Sequence, residues 1–414
     1  MTVRGIFLFV VILLPACFGR HGKPKLNFKA LTFNTGLLGV VEQKNPDHDT
    51  SREDRRDVII EAVRSSNADV VCLQEISKGT DIEAFVRGLA NEYPHSQSQL
   101  HLFNGQLPQQ AGVQHSAVCS AGAAAALVGC AFANNCAALL GTFSSSDEFV
   151  ACLETSCGSA LQNLIRFSGQ SCLTCLSLQV AIDVTKLLDV CASPVPSEQS
   201  LTINPMGLLL LSKQPLTVRQ SGSFYPNIPQ FLSRGYLRSK FVDKVTVVCT
   251  HLIPPLSDVT NPEVALKPFF PTLVEQSRSE ITTIVETFKD VRPLLLLGDF
   301  NVNGGPLVPG KAFGEDQYRR LSKIFNTQVT SNCTFCDADQ NVYNFNSEEV
   351  ARVVDFIFGN GLWIRNVKRV FTPDEVSIPD NGERVPLSDH FGVMGDAVCS
   401  PGAGRMGKKG RKRM

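Results

Sequence analysis

A series of short apolar runs, each stopping at a carboxylate, an imidazole or an amide, constrains this chain more than any other feature. Asn34 follows Leu31-Thr32-Phe33, and Glu75 follows Val70-Val71-Cys72-Leu73-Gln74. His251 ends Val247-Val248-Cys249-Thr250, while Asp299 and Asn301 follow Leu294 to Gly298. Asp355 sits inside Arg352 to Phe358, and Asp389 and His390 precede Phe391-Gly392-Val393. Runs of this length and content read as buried strands, predicted over Phe28 to Phe33, Ala68 to Leu73, Gly207 to Leu211, Val245 to His251, Leu294 to Leu297 and Val353 to Phe358. The 3.6-residue pattern predicts helices over Arg55 to Ser65, Asp81 to Asn91 and Thr272 to Phe288. Strands alternating with helices imply an α/β layered domain.

The same grammar occupies residues 26–106 and resumes over 201–398. The stretch between them, 111–196, breaks it. Eight of the 14 cysteines fall there: Cys119, Cys130, Cys136, Cys152, Cys157, Cys172, Cys175 and Cys191. With many Ala, Leu and Ser and few charges, it reads as a Cys-rich insert of short helices stapled by disulfides, whose connectivity the sequence does not reveal. Cys172-x-x-Cys175 alone would suit zinc, but no second such pair lies nearby. Elsewhere, Cys333 and Cys336 are spaced for a tight disulfide. Cys72 and Cys249 read as core packing within their strands rather than as a bridge. Cys399 then lacks a partner, and one thiol is expected to be free.

So many cysteines point to an oxidising compartment. Arg4, the apolar run Ile6 to Leu14 and the small residues around Ala16 and Gly19 have the order of a secretory signal peptide over 1–19, predicting a secreted, extracellular protein. Hydrophobic residues at 43% and charged residues at 19% exclude a disordered, collagen-like or coiled-coil chain. The 39 basic and 39 acidic residues cancel, so attraction to nucleic acid or anionic lipid must be local. The tail, 399–414, is basic and reads first as a solvated end.

Six of the eight strand-end groups are carboxylates or imidazoles. Such a group beside a buried strand is costly unless paired or bound to metal. Any one of them alone reads as a capped strand end; the set, recurring at equivalent places, asks for another explanation. Oxygen ligands such as Glu75, Asn34 and Asp389 suit a hard divalent cation. An imidazole such as His390, held by a carboxylate such as Asp355, works near neutral pH. Asp299 could position water, and Asn301 could donate to a phosphate. The parts suit hydrolysis of a phosphate ester.

Leu31-Thr32-Phe33-Asn34, Leu73-Gln74-Glu75, Thr250-His251-Leu252, Gly298-Asp299-Phe300-Asn301, Val354-Asp355-Phe356-Ile357 and Ser388-Asp389-His390 occur in that order. Together they resemble the successive motifs of the endonuclease/exonuclease/phosphatase superfamily. The resemblance implies a four-layered α/β sandwich, two packed sheets flanked by helices, carrying the Cys-rich helical insert. It implies Glu75 as the principal Mg²⁺ ligand, with Asn34 and Asp389 completing the site and Ca²⁺ or Mn²⁺ as alternative ions. Asp355 would orient His390, the catalytic histidine, as base or as electrostatic stabiliser. Asp299 would help activate water, and Asn301 and His251 would stabilise the phosphorane.

Members of that superfamily cut DNA, RNA, inositol phosphates and sphingomyelin, so the fold leaves the substrate open. Gly207 to Pro215 and Ser233-Arg234-Gly235-Tyr236 resemble segments of sphingomyelinase-type members. The first expectation is therefore a secreted, metal-dependent phosphodiesterase releasing a phospholipid headgroup, with peripheral membrane contact through the insert or tail and no stable protein partner. A secreted endonuclease similar to deoxyribonuclease I is the alternative, in which Arg234, Arg238 and Lys240 line a nucleic-acid path. A binding or adhesion protein acting through the insert is the third.

Overall fold

The computed structural model describes residues 26–38, 52–100, 119–136, 146–167, 172–176, 191–192 and 203–399, the last apart from 227, 229, 231–232, 243, 257–260, 262–265, 306–312, 338–339, 344–350 and 381–382. The predicted signal peptide and residues 400–414 of the tail lie outside them.

The two-residue period of its strands explains the layering. In β1 (Asn27–Asn34), Phe28 and Ala30 point to one face and Leu31 and Phe33 to the other. In β2 (Val70–Gln74), Val70 and Cys72 oppose Val71 and Leu73 in the same way. Between them runs α1 (Arg52–Ser66), and α2 (Gly79–Gly88) and β3 (His95–Ser98) follow. Ile59 and Val63 of α1 and Ile82 and Phe85 of α2 cover the Leu31/Val71 face. The α2 helix starts and stops earlier than its apolar pattern predicts, because Leu89 closes the last turn onto Phe85 and a turn takes over after Gly88.

Past the insert come β4 (Leu209–Ser212), β5 (Leu216–Ser223), β6 (Gly235–Phe241), β7 (Val245–His251), α5 (Leu273–Phe288), β8 (Leu294–Asp299), α6 (Glu315–Ile324), β9 (Asn326–Thr327), β10 (Asp355–Asn360), β11 (Leu362–Val370), a hairpin of β12 (Ile378–Asp380) and β13 (Glu383–Val385), and β14 (Gly392–Cys399). Within the insert, α3 (Ala121–Ala133) and α4 (Ser146–Phe167) pack together. The α3–α4 pair precedes β4 in the chain, as numbered.

One six-stranded sheet has the order β11-β14-β1-β2-β4-β3 and the other β5-β6-β7-β8-β10-β9. Only β1–β2 and β7–β8 are parallel among the described pairs. Val245, Val247 and Cys249 of β7, Leu295 and Leu297 of β8 and Ile357 of β10 meet Ala30, Val70, Cys72, Leu208 and Leu210 between the sheets. The outer face of the second sheet, with Val248, Leu294, Leu296 and Phe358, is covered by Ile281, Ile284 and Phe288 of α5 and Leu321 of α6. The order helix, sheet, sheet, helix is the expected four-layered sandwich. Strands clad on both faces must be apolar throughout, hence the unbroken runs. Each fully buried Leu or Phe contributes about 1.5–3 kcal/mol.

Disulfides Cys119–Cys172, Cys130–Cys157, Cys136–Cys152 and Cys175–Cys191 pair all eight insert cysteines with each other. Cys333 and Cys336 are joined as expected. Cys72 and Cys249 correct the reading of them as packing residues, since they form a disulfide with Cα atoms 5.4 Å apart. Both are inward-facing, Cys72 on β2 and Cys249 on β7, and stacking the two sheets brings them face to face. No cysteine of the described residues is free; Cys17 and the Cys399 side chain, on which the expected odd thiol rested, lie outside them. No helix of the described residues is long and apolar enough to cross a membrane.

Candidate active site

The site begins where the core between the sheets runs out. His251, Asp299 and Asp355 occupy the next inward position of β7, β8 and β10 after Cys249, Leu297 and Ile357. Strand register then sets them in a row, His251 opposite Asp299 and Asp299 opposite Asp355. Asn34 ends the inward face of β1 in the other sheet, opposite Gln74. Because β14 runs antiparallel to β1, His390, two residues before its start, arrives at the same edge.

Asp299 is the hub. Asn34 Nδ2 donates to its Oδ2 at 3.1 Å, joining the sheets, and to Glu75 Oε1 at 3.1 Å. Asn34 Oδ1 accepts from Gly36 N at 3.1 Å, so the amide presents nitrogen to both carboxylates. Asn301 N donates to Asp299 Oδ1 at 2.8 Å, and His251 Nε2 stands 3.3 Å from Asp299 Oδ2. Asn301 Nδ2 donates to the Leu252 carbonyl at 2.8 Å and lies 3.3 Å from His251 Nε2. His390 Nδ1 donates to Asp355 Oδ2 at 3.0 Å, with Nε2 3.8 Å from Asp299 Oδ2. Its backbone is fixed through Ser388, whose Oγ accepts from His390 N at 3.1 Å and donates to the Asn34 carbonyl at 2.8 Å.

Burial alone would lower the His390 pKa, but Asp355 and Asp299 outweigh it and push the imidazole up to about 10. Burial would raise Asp299, yet His390, His251 and the hydrogen bonds from His251 and Asn34 hold it down at about 2. Burial lifts Asp355 to about 6, which leaves it ionised at neutral pH beside its imidazolium. His251 moves the other way, lowered to about 4 by burial and then by the Arg234 charge, so it stays neutral.

Asp299, Asp355 and His390 offer metal-binding atoms within 4.8 Å of one another, all buried. Both nitrogens of a protonated His390 face carboxylates, so this trio is an ion-pair cluster rather than a cation cage. Glu75 is different. Burial and the neighbouring Asp389 raise its pKa to about 7, although His390, Asn34 and Arg234 oppose the shift. Two half-buried carboxylates repelling each other form an all-oxygen donor set, which a hard divalent cation would relieve. The residues present therefore fit such an ion at Glu75 and Asp389. Asn34 serves there as donor to Glu75, and ligating directly would require its amide to turn over.

Glu75 adopts a left-handed backbone, φ 63°, at a cost of about 1–2 kcal/mol. Gly207 makes room: Ile76 N donates to its carbonyl at 2.9 Å, and a Cβ on Gly207 would stand 3.3 Å from Glu75 Cα.

Residues that sequence reasoning missed surround this set. Arg55, fully buried in α1, donates to the carbonyls of Leu387 at 2.6 Å and Gly36 at 2.8 Å, tying the backbone behind Asn34 to that behind His390. The signal was present: Arg55 shares a helix face with Ile59 and Ala62, an unusual place for an exposed charge. Thr334, inside the Cys333–Cys336 turn, accepts through Oγ1 from Val354 N at 3.0 Å and Asp355 N at 3.2 Å. Phe335 next to it lies with its ring 5.0 Å from that of His390. Arg234, read as part of the sphingomyelinase-like Ser233-Arg234-Gly235-Tyr236 segment or as a lining residue for nucleic acid, borders the cleft containing Glu75 and His251.

Among solved structures, an endonuclease/exonuclease/phosphatase from Beutenbergia cavernae is similar at 15% identity over 90% of this chain and 72% of that one, TM-score 0.47. Sphingomyelinase C from Streptomyces griseocarneus is similar at 15% identity over 91% and 100%, TM-score 0.45. A beta toxin variant from Staphylococcus aureus with bound magnesium ions is similar at 15% identity over 91% and 100%, TM-score 0.41. No curated protein matches the sequence. Residues 31–390, from β1 to the site histidine, match the model of the Endonuclease/Exonuclease/phosphatase family. The chain belongs to that family, whose members are hydrolases of phosphoester bonds dependent on divalent metal.

Proposed function

We propose that this protein is a secreted, divalent-metal-dependent phosphodiesterase of sphingomyelinase type, releasing a phospholipid headgroup. The observation that carries the hydrolytic reading is the line of ion-pair and hydrogen-bond contacts from Asp355 through His390 and Asp299 to Asn34 and Glu75, closed across two sheets. His390, held protonated by Asp355, is the group to give a hydrogen bond or a proton to a phosphoryl or leaving oxygen. Asp299, held ionised, orients the attacking water by accepting a hydrogen bond from it. Asn301 and neutral His251 flank that point and steady the charge that develops. Glu75 and Asp389 would hold the cation, Mg²⁺ in preference to Ca²⁺ or Mn²⁺, which when bound neutralises phosphoryl charge as a Lewis acid.

The lipid reading draws on the surroundings. The segment leaving β7 just after His251 carries exposed Leu256 and Phe269, the latter 65% exposed. Leu38, which lines the cleft, also packs against the core of the insert, so the insert borders the site. Six disulfides among the described residues suit an extracellular protein.

Purified protein with Mg²⁺, then with EDTA, assayed in parallel on sphingomyelin vesicles and plasmid DNA tests this, with His390→Ala as the blank. Phosphocholine release that EDTA abolishes and Mg²⁺ restores is expected. DNA nicking without lipid turnover would replace the lipid reading by the endonuclease one.

A further inference from the structure

The disulfide between Cys333 and Cys336 closes a short ring, and both residues inside that ring hold parts of the site. Thr334, fully buried, takes the amides of Val354 and Asp355 on its Oγ1, fixing the backbone of the carboxylate that orients His390. Its carbonyl accepts from Phe391 N at 2.8 Å, so the same residue grips the chain just after His390. Phe335 donates through N to the Arg352 carbonyl at 3.1 Å and accepts from Arg352 N at 2.8 Å, with its ring against the imidazole. The ring therefore joins the start of β10 to the segment of His390. A cross-link keeps so short a loop in one shape by removing the alternatives open to it.

The surroundings of the two sulfurs suit exchange chemistry. Arg369 of β11 places Nη1 3.4 Å from Cys336 Sγ and 3.6 Å from Cys333 Sγ, and donates to the Cys333 carbonyl at 3.1 Å. Burial lowers the pKa of this guanidinium, against the pull of Glu375, so the cation beside the sulfurs is partly desolvated. A cation next to cysteine favours the thiolate, the leaving group of disulfide exchange. Cys333 is 9% exposed and Cys336 1%, so an incoming thiolate meets Cys333 first and expels Cys336, where Arg369 stands nearest. Cys72 and Cys249, by contrast, are sealed between the sheets.

We infer that Cys333–Cys336 is a thiol–disulfide exchange site that governs turnover: closed, it holds Asp355 and His390 in place, and opened by a dithiol, it releases them. A thiolate of the dithiol attacks Cys333 Sγ, the Cys333–Cys336 bond breaks and Cys336 leaves as thiolate. The second thiol of the reductant then displaces Cys333 from the mixed disulfide. The two cysteines gain two electrons and two protons, and the dithiol ends as a disulfide. The effect on turnover rests on the phosphodiesterase reading, while the opening of the bond and the release of the two amides do not.

The test treats the parent protein and the double variant Cys333→Ser, Cys336→Ser with dithiothreitol in the absence of denaturant. Thiols are alkylated and mapped by mass, hydrolysis of bis(p-nitrophenyl) phosphate is followed with Mg²⁺, and amide hydrogen exchange is read at Val354 and Asp355. In the parent, Cys333 and Cys336 should be alkylated before Cys72 and Cys249, and turnover should fall by roughly 10-fold or more as the catalytic groups lose their placement. Exchange at the two amides should quicken by roughly 10-fold, since Thr334 no longer accepts from them. Oxidised glutathione should reverse all three, a reading that needs no substitution and so does not depend on how well the double variant folds. Untreated, the double variant should match the reduced parent, and dithiothreitol should change it no further, which separates this bond from those of the insert. Arg369→Gln should slow the opening several-fold. A bond that stays closed until the protein unfolds, or one that opens with exchange and turnover unchanged, would overturn the assignment. A parent that hydrolyses no diester yet shows the reversible change in exchange would defeat the functional reading and leave the exchange site standing.

Discussion

Asp299 stands beside both histidines and accepts from Asn34, so it links the imidazole row to the amide that ends β1 in the other sheet. Asp299→Asn keeps the shape and removes the charge. Turnover should fall by roughly 10²–10³-fold and the melting temperature should drop by a few degrees as the charge held by both histidines is lost, as steady-state kinetics and calorimetry will read. Glu280 of α5 makes a different prediction. It accepts from Ile253 N at 2.8 Å and Gln276 Nε2 at 3.0 Å, and burial raises its pKa to about 7. Its folded pKa lies above its unfolded value, so the folded state keeps the proton longer. That contribution to stability is complete below the unfolded pKa and is lost as pH climbs through about 7, on the order of 3 kcal/mol. Glu280→Gln cannot lose the proton. Denaturant melts from acidic to mildly alkaline pH should therefore show the parent weakening relative to the variant; parallel curves would refute the burial argument.

Among elements, the parallel pair β7 and β8 carries His251 and Asp299 side by side. It depends on Gly298, φ +158°, where a Cβ would land on the carbonyl oxygen of Thr250. Backbone cannot rotate away as a side chain can. Gly298→Ala should destabilise by on the order of 3 kcal/mol and abolish turnover, readable by chemical denaturation beside the assay. These central strands were legible in the sequence because both of their faces are covered, and so were the site residues at their ends, since strand ends gather at one edge. The edge strands were not. In β5 the stretch from Val218 to Ser221 is exposed, and β11 alternates buried Leu362 and Ile364 with exposed Trp363 and Arg365, so neither shows an apolar run. The Cys72–Cys249 bond was hidden for a related reason: each cysteine's strand is local information, but which sheet face meets which is not. Arg55 and Thr334 escaped because their roles lie in backbone groups 332 and about 20 positions away, contacts that no local pattern encodes.

On the scale of the whole molecule, the two halves of the sandwich are separated in sequence by the insert and joined across the core by Cys72–Cys249, 177 positions apart. The whole insert falls within that span. A protease cut anywhere inside it produces two polypeptides that cannot part. Limited digestion should give one species on a non-reducing gel and two after reduction, and a cut confined to the insert should leave the diesterase assay running. Separation without reductant would show that the bond does not form. In covalent terms the protein is a ring fastened at the floor of its own site, with the insert hanging from it. Such a ring lets the hanging part be nicked, lengthened or exchanged while the two halves that make the site stay at fixed effective concentration.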